Sequence, residues 1–246
     1  MAYVVIGTWH GGFWSGLVIA MAVAAAMGYV VELVALRPLR ARGADYLAPL
    51  ISTIGLSIIL QEVLIKLFGP EPLPVRTDLA QMQLQLGPVR VAGVQILVLV
   101  ISLALMGLMQ VLLRYTRLGR AMRAVAENPR TAALLGVNVS AVVVLTVMLA
   151  SSLGGAAGVL VGVTFQNVNA SMGLSYSLKG LAVIVLGGLG NFTGAVVGGL
   201  ALGVVEALTV AYGGSGWRDA VAFGFLFLVL VLRPNGLFGH QLVRRS

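Results

Sequence analysis

The residues of this chain that could do chemistry are few, and they lie inside or beside long apolar runs. Glu206 is flanked by Val204, Val205 and Leu208, so its carboxylate lies within such a run. A charge buried in an apolar run is costly and is by default a sign of function, with a partner that compensates it. We predict that Glu206 either lines a pathway, where it meets an ammonium group, or pairs structurally with a helix terminus.

Three other charged residues in the apolar runs favour structural roles. Glu32 lies just over one helical turn from an arginine-rich segment at residues 37–42, and we predict an interfacial position for it. Glu62 and Lys66 have the i, i+4 spacing of an ion pair on one helix face. We predict that this pair is structural.

An uncharged polar segment follows one of the apolar runs. It contains Asn167 and Asn169, together with Ser171 and Ser175. Amide and hydroxyl groups offer hydrogen bonds to a polar solute without the cost of burying a charge. We predict either an external loop or a cavity lining, with Asn167 and Asn169 as candidate pathway residues beside Glu206.

No arrangement of side chains in the sequence predicts catalysis, a metal site or ATP binding. Ser215 lies among glycines, but no histidine has an evident way to reach it, and a nucleophilic serine needs a general base. His10 and His240 lie near opposite ends of the chain, and neither has a second histidine at metal-ligand spacing. Neither Lys66 nor Lys179 belongs to a Gly-x-x-x-x-Gly-Lys-Ser/Thr phosphate loop. We therefore predict a chain that is not an enzyme and has no cofactor, so its energy comes from a partner or an ion gradient.

The composition excludes an ordinary soluble globule. Of the 246 residues, 59% are hydrophobic and 10% are charged, against roughly 45–50% and about 25% in soluble proteins. The net charge of +8 would suit nucleic acid only if the basic residues formed a solvated face. Here they lie between apolar runs, where orientation in a bilayer explains them better. The absence of cysteine excludes disulfides and thiolate metal sites.

The apolar runs have the length of membrane-spanning helices, about 30 Å at ~1.5 Å per residue. A last, shorter run covers residues 220–232, and a Gly-rich stretch at 180–212 is interrupted at 187–191. We predict an all-α polytopic membrane protein of about 6–7 transmembrane helices, folded as a single transmembrane domain over residues 1–246, with a broken or re-entrant segment near 180–193. The full-length runs are residues 11–31, 46–68, 91–113 and 139–163.

The arginines predict the orientation of these runs. Eleven of the 16 basic residues lie at 37–45, 114–138 and the C-terminus, and the positive-inside rule places all three segments in the cytoplasm. The stretch at 180–212 must then cross twice or re-enter and return. Residues 180–190 cover only about 16 Å as a helix, and broken backbone at membrane depth must be buried in protein or line a wet cavity.

The same orientation places Met1 outside the cell, although the sequence has no signal-peptide pattern. A chain of this kind would have to export its own N-terminus. We therefore expect a natural precursor to carry at least one more upstream helix.

Two runs carry glycines one helical turn apart. In lipid there is little hydrophobic drive between helices, and small residues at this spacing let two backbones approach closely. We predict that these faces pack against other helices, either within the chain or in another subunit. The glycines are Gly154, Gly158 and Gly162 in the first run, and Gly194, Gly198 and Gly203 in the second.

The arginine-rich segment at 114–138 contains its own helix signals. Asn128 suits the N-cap, Pro129 the first helical position and Gly136 the C′ position. We predict a short helix over residues 129–135. A capped, partly apolar helix of this kind offers a rigid knob to a groove in another protein; the alternative, left open by the residue chemistry, is a helix lying against lipid headgroups. The residues predicted to be exposed are Ala132, Ala133, Leu134 and Leu135.

This segment resembles a loop of a known family. Residues 119–124 (GRAMRA), 127–129 (ENP) and 132–136 (AALLG) resemble the ATPase-coupling loop of permease subunits in branched-chain amino-acid ABC importers of the LivH type. Family members carry roughly 50 further N-terminal residues, enough to include a membrane segment. Five other blocks carry the resemblance from end to end: RPLR at 37–40, ISTIGLS at 51–57, VLGGLG at 185–190, GVVEAL at 203–208 and RPNGLFG at 233–239.

The resemblance implies a multi-pass permease subunit of the bacterial inner (plasma) membrane that translocates branched-chain amino acids. It implies pairing with a second, related permease subunit, delivery of substrate by a periplasmic binding protein, and two cytoplasmic ATPase subunits that bind the ATP. The implied coupling residues are Arg120, Arg123, Glu127, Asn128, Pro129, Thr131, Ala132, Ala133, Leu135 and Gly136.

Two alternatives to this function remain open at the level of the sequence. One is a permease of the same fold for another small solute, such as a sugar or urea. The other, from a different class, is a stand-alone ion-coupled secondary transporter or channel, which should show an inverted repeat and more carboxylates within the membrane.

Overall fold

The computed structural model describes residues 12–42, 47–75, 83–86, 89–188, 190–233 and 236. The backbone of these residues is mainly helical, with a few short strands between the long helices. The elements are α1 (Phe13–Val31), a π-helical turn (Glu32–Leu36), α2 (Arg37–Ala41), α3 (Leu47–Phe68), β1 (Leu73–Pro74), β2 (Gln83–Leu86), β3 (Val89–Ala92), α4 (Gly93–Tyr115), α5 (Arg117–Glu127), α6 (Pro129–Leu134), α7 (Val139–Phe165), β4 (Asn167–Val168), α8 (Met172–Gly187), α9 (Phe192–Gly213), a 3-10 turn (Ser215–Trp217) and α10 (Arg218–Leu232).

Six helical segments among the described residues have the length and composition to cross a membrane. The intervening helix α8 has 16 residues, or about 24 Å at ~1.5 Å per residue, which is shorter than the hydrocarbon core. These lengths confirm the prediction of an all-α polytopic protein. The six segments are Phe13–Arg40, Ile51–Phe68, Gly93–Tyr115, Val139–Phe165, Phe192–Gly213 and Ser215–Leu232.

The contacts divide the chain into two units, Met1–Ala170 and Ser171–Ser246, which are described separately. In the first unit α1 packs along α7. The small sheet β1–β4 pairs Leu73 with Val168 and Pro74 with Asn167, while β2 and β3 form a hairpin. The main core consists of Phe13, Leu17, Ala20, Val75, Val94, Ile101, Ala156, Val159, Leu160 and Val163.

In the second unit α8 packs against α9, and α10 packs against both. The buried core side chains are Leu186, Leu202, Ala222 and Val229. The helix break predicted near residues 187–191 separates α8 from α9. Gly188 and Gly190 have φ angles of 97° and 84°, values that L side chains rarely adopt, and Leu189 between them lies outside the described residues.

Glycine also permits the close approach of α8 and α9 beyond the break. A Cβ on Gly187 would overlap with the backbone nitrogen of Ala195, and a Cβ on Gly198 would lie 3.1 Å from the carbonyl oxygen of Val183. Gly194 is buried at the same contact. The packing prediction is therefore confirmed for Gly194 and Gly198, whereas a Cβ on Gly203 would meet nothing within 4 Å.

The α1–α7 contact uses a different glycine from those that the spacing predicted. A Cβ on Gly155 would lie 2.6 Å from Ala24 Cβ, whereas a Cβ on Gly154 or Gly158 would meet nothing within 4 Å. A Cβ on Gly162 would meet a side chain of β4 rather than another long helix. For the described residues, the prediction of close packing against a helix of the same chain is thus wrong for Gly154, Gly158 and Gly162. A contact of Gly154 and Gly158 with another subunit stays a prediction.

Gly155→Ala should destabilise the protein, and Gly154→Ala should not. The new methyl group at position 155 would lie 2.7 Å from the carbonyl oxygen of Ala20, and overpacking of this kind costs roughly 1–3 kcal/mol. Alanine at position 154 meets open space and gains up to about 1 kcal/mol of helix propensity. Thermal unfolding of the two purified variants in detergent checks this difference; equal melting temperatures would contradict the α1–α7 contact.

Candidate functional site

The segment predicted to couple to an ATPase begins with a tight turn between α4 and α5. The hydroxyl oxygen of Thr116 accepts a hydrogen bond from the backbone N–H of Gly119 at 3.0 Å and donates one to the carbonyl of Leu112 at 2.6 Å. A Cβ on Gly119 would overlap with the carbonyl oxygen of Leu113, and Arg123 donates to that same carbonyl. The turn therefore fixes α5 against the C-terminal end of α4, where a cation is favourable.

The N-terminus of α6 has the predicted cap. The Asn128 side-chain oxygen accepts hydrogen bonds from the backbone N–H groups of Arg130 and Thr131, at 3.0 and 3.1 Å. Pro129 is the first helical residue, a position whose backbone N–H would have no partner within the helix. The predicted roles of Asn128 and Pro129 in starting the helix are confirmed.

The C-terminus of α6 is a Schellman motif. Gly136 has a φ angle of 83° and donates its N–H to the Ala133 carbonyl at 3.0 Å, while Val137 donates to the Ala132 carbonyl at 3.0 Å. This confirms Gly136 at the C′ position. The helix ends one residue earlier than predicted, because Leu135 is its C-cap.

The tip of α6 is an exposed apolar surface. Leu134 and Leu135 are 88% and 78% exposed, and Ala133 is exposed beside them; we name these three residues the α6 knob. The prediction that Ala132 is exposed is wrong, since it is only 2% exposed. Its methyl group packs into a small core between α5 and α7, which includes Met122, Val125 and Val142.

The segments that precede the knob carry exposed polar residues. Arg123 and Glu127 on α5 are exposed, as is Asn128 in the turn before α6. The α6 knob is thus an apolar surface on a loop fixed by caps, with exposed polar residues in the neighbouring segments. The predicted coupling residues that are exposed are Arg120, Arg123, Glu127, Asn128, Pro129, Thr131, Ala133, Leu135 and Gly136.

A second candidate site surrounds Glu206 in the unit that begins at Ser171. Lys179 Nζ of α8 lies 2.8 Å from Glu206 Oε1 and 2.9 Å from Asp219 Oδ1. Arg218 Nε donates a hydrogen bond to Glu206 Oε2 at 2.6 Å. We name these four residues the ion cluster; it connects α8, α9 and α10.

The Glu206 carboxylate is therefore paired on both of its oxygens. Arg218 is the first residue of α10, and it is its side chain, rather than the backbone of the helix terminus, that pairs with Glu206. Oε1 has no aligned hydrogen-bond donor among the described residues and is compensated by the Lys179 charge. A pathway role for Glu206 stays a prediction.

Sequence reasoning missed Lys179 as a partner of Glu206. Lys179 is the single charged residue of α8, and an ionisable residue in an apolar helix calls for a counter-ion. That signal identifies both Lys179 and Glu206 as residues needing a partner, but it does not say that they meet, because they lie on different helices.

The first unit also contains a buried carboxylate. Glu32 lies in the π-helical turn that follows α1, is buried, and accepts a hydrogen bond from Arg40. The side chain of Glu32 is therefore buried in the protein and paired with the arginine-rich segment, and its interfacial position stays a prediction. The ion pair predicted between Glu62 and Lys66 is absent: both side chains are exposed and form no ion pair with each other.

The remaining candidate polar residues do not form a further cluster. Asn167 lies in β4 opposite Pro74 and is exposed, and Asn169 is half-buried; their pathway role stays a prediction. His10 and His240 lie outside the described residues. Within those residues no group of three or more His, Asp or Glu side chains could hold a metal ion.

Comparison with known proteins gives matches over nearly the whole chain. The family model for the branched-chain amino acid transport system, permease component, matches residues 1–230. The high-affinity branched-chain amino acid transport system permease protein BraD of Pseudomonas aeruginosa is 37% identical over 227 residues, which cover 91% of this chain and 73% of that protein. The permease protein LivH of the same type from Escherichia coli is 35% identical over 236 residues, covering 94% and 76%.

A more distant similarity concerns a sugar permease. The ribose import permease protein RbsC of Escherichia coli is 28% identical over 130 residues, which cover 50% of this chain and 40% of that protein. No solved structure matches the chain.

The family match covers five of the six membrane-length helical segments, the sixth as far as residue 230, and includes the α6 knob and the ion cluster. The chain is a multi-pass membrane protein, and it belongs to the permease component family of branched-chain amino acid transport systems.

Proposed function

We propose that this chain is the permease subunit of an ABC importer that translocates branched-chain and other hydrophobic amino acids across the bacterial inner membrane. The observation that carries the proposal is the similarity to BraD and LivH, each matched over more than nine-tenths of this chain. The ribose permease is similar over half of the chain only and at lower identity, so a sugar substrate is not favoured.

The α6 knob supports coupling to cytoplasmic ATPase subunits. A protein that binds a partner through a short helix needs a rigid apolar surface surrounded by polar groups. Ala133, Leu134 and Leu135 provide the apolar part, and the caps at Asn128 and Gly136 hold its backbone. Since the sequence has no phosphate-binding loop of its own, ATP is bound by the partner subunits in this proposal.

The arginine distribution supports an orientation for the chain. The segment at 114–138 is cytoplasmic by the positive-inside rule, and the residues at 37–45 and the C-terminus lie on the same side. Helix α7 then runs outward, and α8 begins at the outer side. Lys179 lies seven residues after Met172, and Glu206 lies seven residues before Gly213, so both lie about 10 Å from the outer ends of their helices.

Two further partners belong to the proposal. A second, related permease subunit is supported by the exposed α7 face with Gly154 and Gly158, which would let a neighbouring helix approach closely. A periplasmic binding protein that delivers the substrate follows from the family resemblance alone.

Uptake by cells tests the proposed function. The chain is expressed with its neighbouring permease, ATPase and binding-protein genes in a strain without branched-chain amino-acid uptake, and entry of radiolabelled leucine is measured. We expect unlabelled valine and isoleucine to compete and ribose not to compete. Competition by ribose would overturn the amino-acid assignment, and uptake that persists without the ATPase genes would instead support an ion-coupled transporter.

A further inference from the structure

The ion cluster contains one carboxylate that is held in place and one that is accessible. The side chain of Glu206 is 8% exposed and that of Asp219 is 69% exposed, while Lys179, which contacts both, is 16% exposed. We propose that Lys179 binds the carboxylate group of the transported amino acid, and that Asp219 occupies this position until the substrate displaces it. This inference rests on the proposed function.

The two carboxylates differ in how strongly they are held. Glu206 is buried among α8, α9 and α10, and it is bonded to Arg218 on one oxygen and paired with Lys179 on the other. Asp219 makes its ion pair with Lys179 in a largely solvated position, where ion pairs contribute little to stability. Glu206 is therefore the permanent counter-ion of Lys179, and Asp219 is the exchangeable one.

The charges of the cluster make the vacated position specific for an anion. Lys179 and Arg218 balance Glu206 and Asp219, so the four charges sum to zero. When Asp219 moves away, two cations face one carboxylate. The ammonium nitrogen of Lys179 has three hydrogen-bond donors and no acceptor, so a carboxylate or a similar anion can both accept from it and restore the balance of charge.

The ion cluster lies near the side of the membrane from which the substrate enters in the proposed orientation. Lys179 and Glu206 lie about 10 Å from the ends of α8 and α9 that face outward in the proposed orientation. The substrate of an importer arrives from that side. The zwitterionic backbone of every amino acid carries a carboxylate, so a contact at Lys179 selects amino acids from neutral sugars without discriminating among aliphatic side chains.

Fluorescence of Trp217 tests the proposal, because this residue is exposed and precedes Arg218 in the chain. Trp9→Phe with Trp14→Phe leaves Trp217 as the single tryptophan. The purified full chain in detergent is titrated with L-leucine, with isovalerate, which lacks the ammonium group, and with isoamylamine, which lacks the carboxylate. We expect saturable changes with leucine and isovalerate and none with isoamylamine, and about tenfold tighter binding of both carboxylates after Asp219→Asn.

Two variants of Lys179 provide the controls. Lys179→Met combined with Asp219→Asn removes one charge of each sign and leaves Glu206 paired with Arg218. Because Glu206 loses one buried partner, we expect a lower melting temperature than that of Asp219→Asn, and loss of carboxylate binding at temperatures where the variant is still folded. Lys179→Arg keeps the cation and should keep the binding. Equal affinity before and after Asp219→Asn, or equal response to isoamylamine and isovalerate, would mean that the cluster is only a link between helices.

The two proposals fail separately in this design. The isovalerate titration measures binding of a carboxylate at Lys179, and its result does not depend on which solute the importer carries. Leucine uptake by the unmodified chain tests the proposed function, whether or not Lys179 contacts a carboxylate.

Discussion

Ala133→Arg combined with Leu135→Arg should abolish leucine uptake and co-purification of the ATPase subunits. Both positions belong to the exposed α6 knob, so the variant is expected to fold normally. A cation buried without a partner in an apolar groove costs several kcal/mol, and each ~1.4 kcal/mol corresponds to a factor of ten in affinity. Two arginines should therefore weaken the complex by at least about 100-fold. The measurements are co-purification in mild detergent and initial uptake rate.

Tyr115→Arg is the matched control. Tyr115 is exposed at the end of α4, before the coupling segment turns into α5, and lies outside the α6 knob. It adds one arginine to the same cytoplasmic segment without altering the knob, so we expect ATPase association to be retained. If the knob variant keeps full uptake, or if Tyr115→Arg reduces association equally, then α6 is not the coupling element and its position against lipid headgroups becomes the better interpretation.

The backbone of the α6 segment could be predicted from the sequence because its signals are local. Asn128, Pro129 and Gly136 act on neighbouring backbone groups within the same turn of chain. The burial of Ala132 could not be predicted in this way. It depends on Met122 from α5 and Val142 from α7, which approach only after the loop has folded.

The glycine patterns predicted helices with close-packing faces but not always the correct face. Adjacent glycines point about 100° apart around a helix, so Gly154 and Gly155 cannot serve the same contact. The spacing favours the stripe that contains Gly154, whereas the choice of Gly155 is made by the complementary surface at Ala20 and Ala24 of α1. That information belongs to the pair of helices and is not present in either sequence segment alone.

Charge pairing shows the same difference between local and distant rules. The i, i+4 rule predicts a pair between Glu62 and Lys66, but both side chains are exposed and the structure does not form this pair. Lys179 and Glu206 lie on separate helices and do pair, because each is largely buried and would be costly alone. In each ion pair among the described residues at least one partner is largely buried, a condition that spacing along one helix does not reveal.

Glu206→Leu should be among the most destabilising single substitutions in the described part of the chain. It leaves the largely buried Lys179 without its buried counter-ion, and removing one partner of a buried pair typically costs about 3–5 kcal/mol. Adding Lys179→Met replaces the pair by two apolar side chains, and such replacements are often neutral or stabilising. We therefore expect the double variant to recover at least half of the lost stability, which a double-mutant cycle of unfolding measurements in detergent quantifies.

Glu62→Leu is the matched control, since Glu62 is exposed and lies in a membrane-length helix without an ion pair to Lys66; its effect should stay within roughly 0.5 kcal/mol. Purely additive losses for Glu206→Leu and Lys179→Met would contradict the ion pair.

Leucine uptake by the stable double variant then decides between the two roles that the sequence left open for Glu206. Retained uptake means that the pair serves structure alone. A folded double variant without uptake means that transport itself requires these charges, because stability has been restored while the contact with substrate has not.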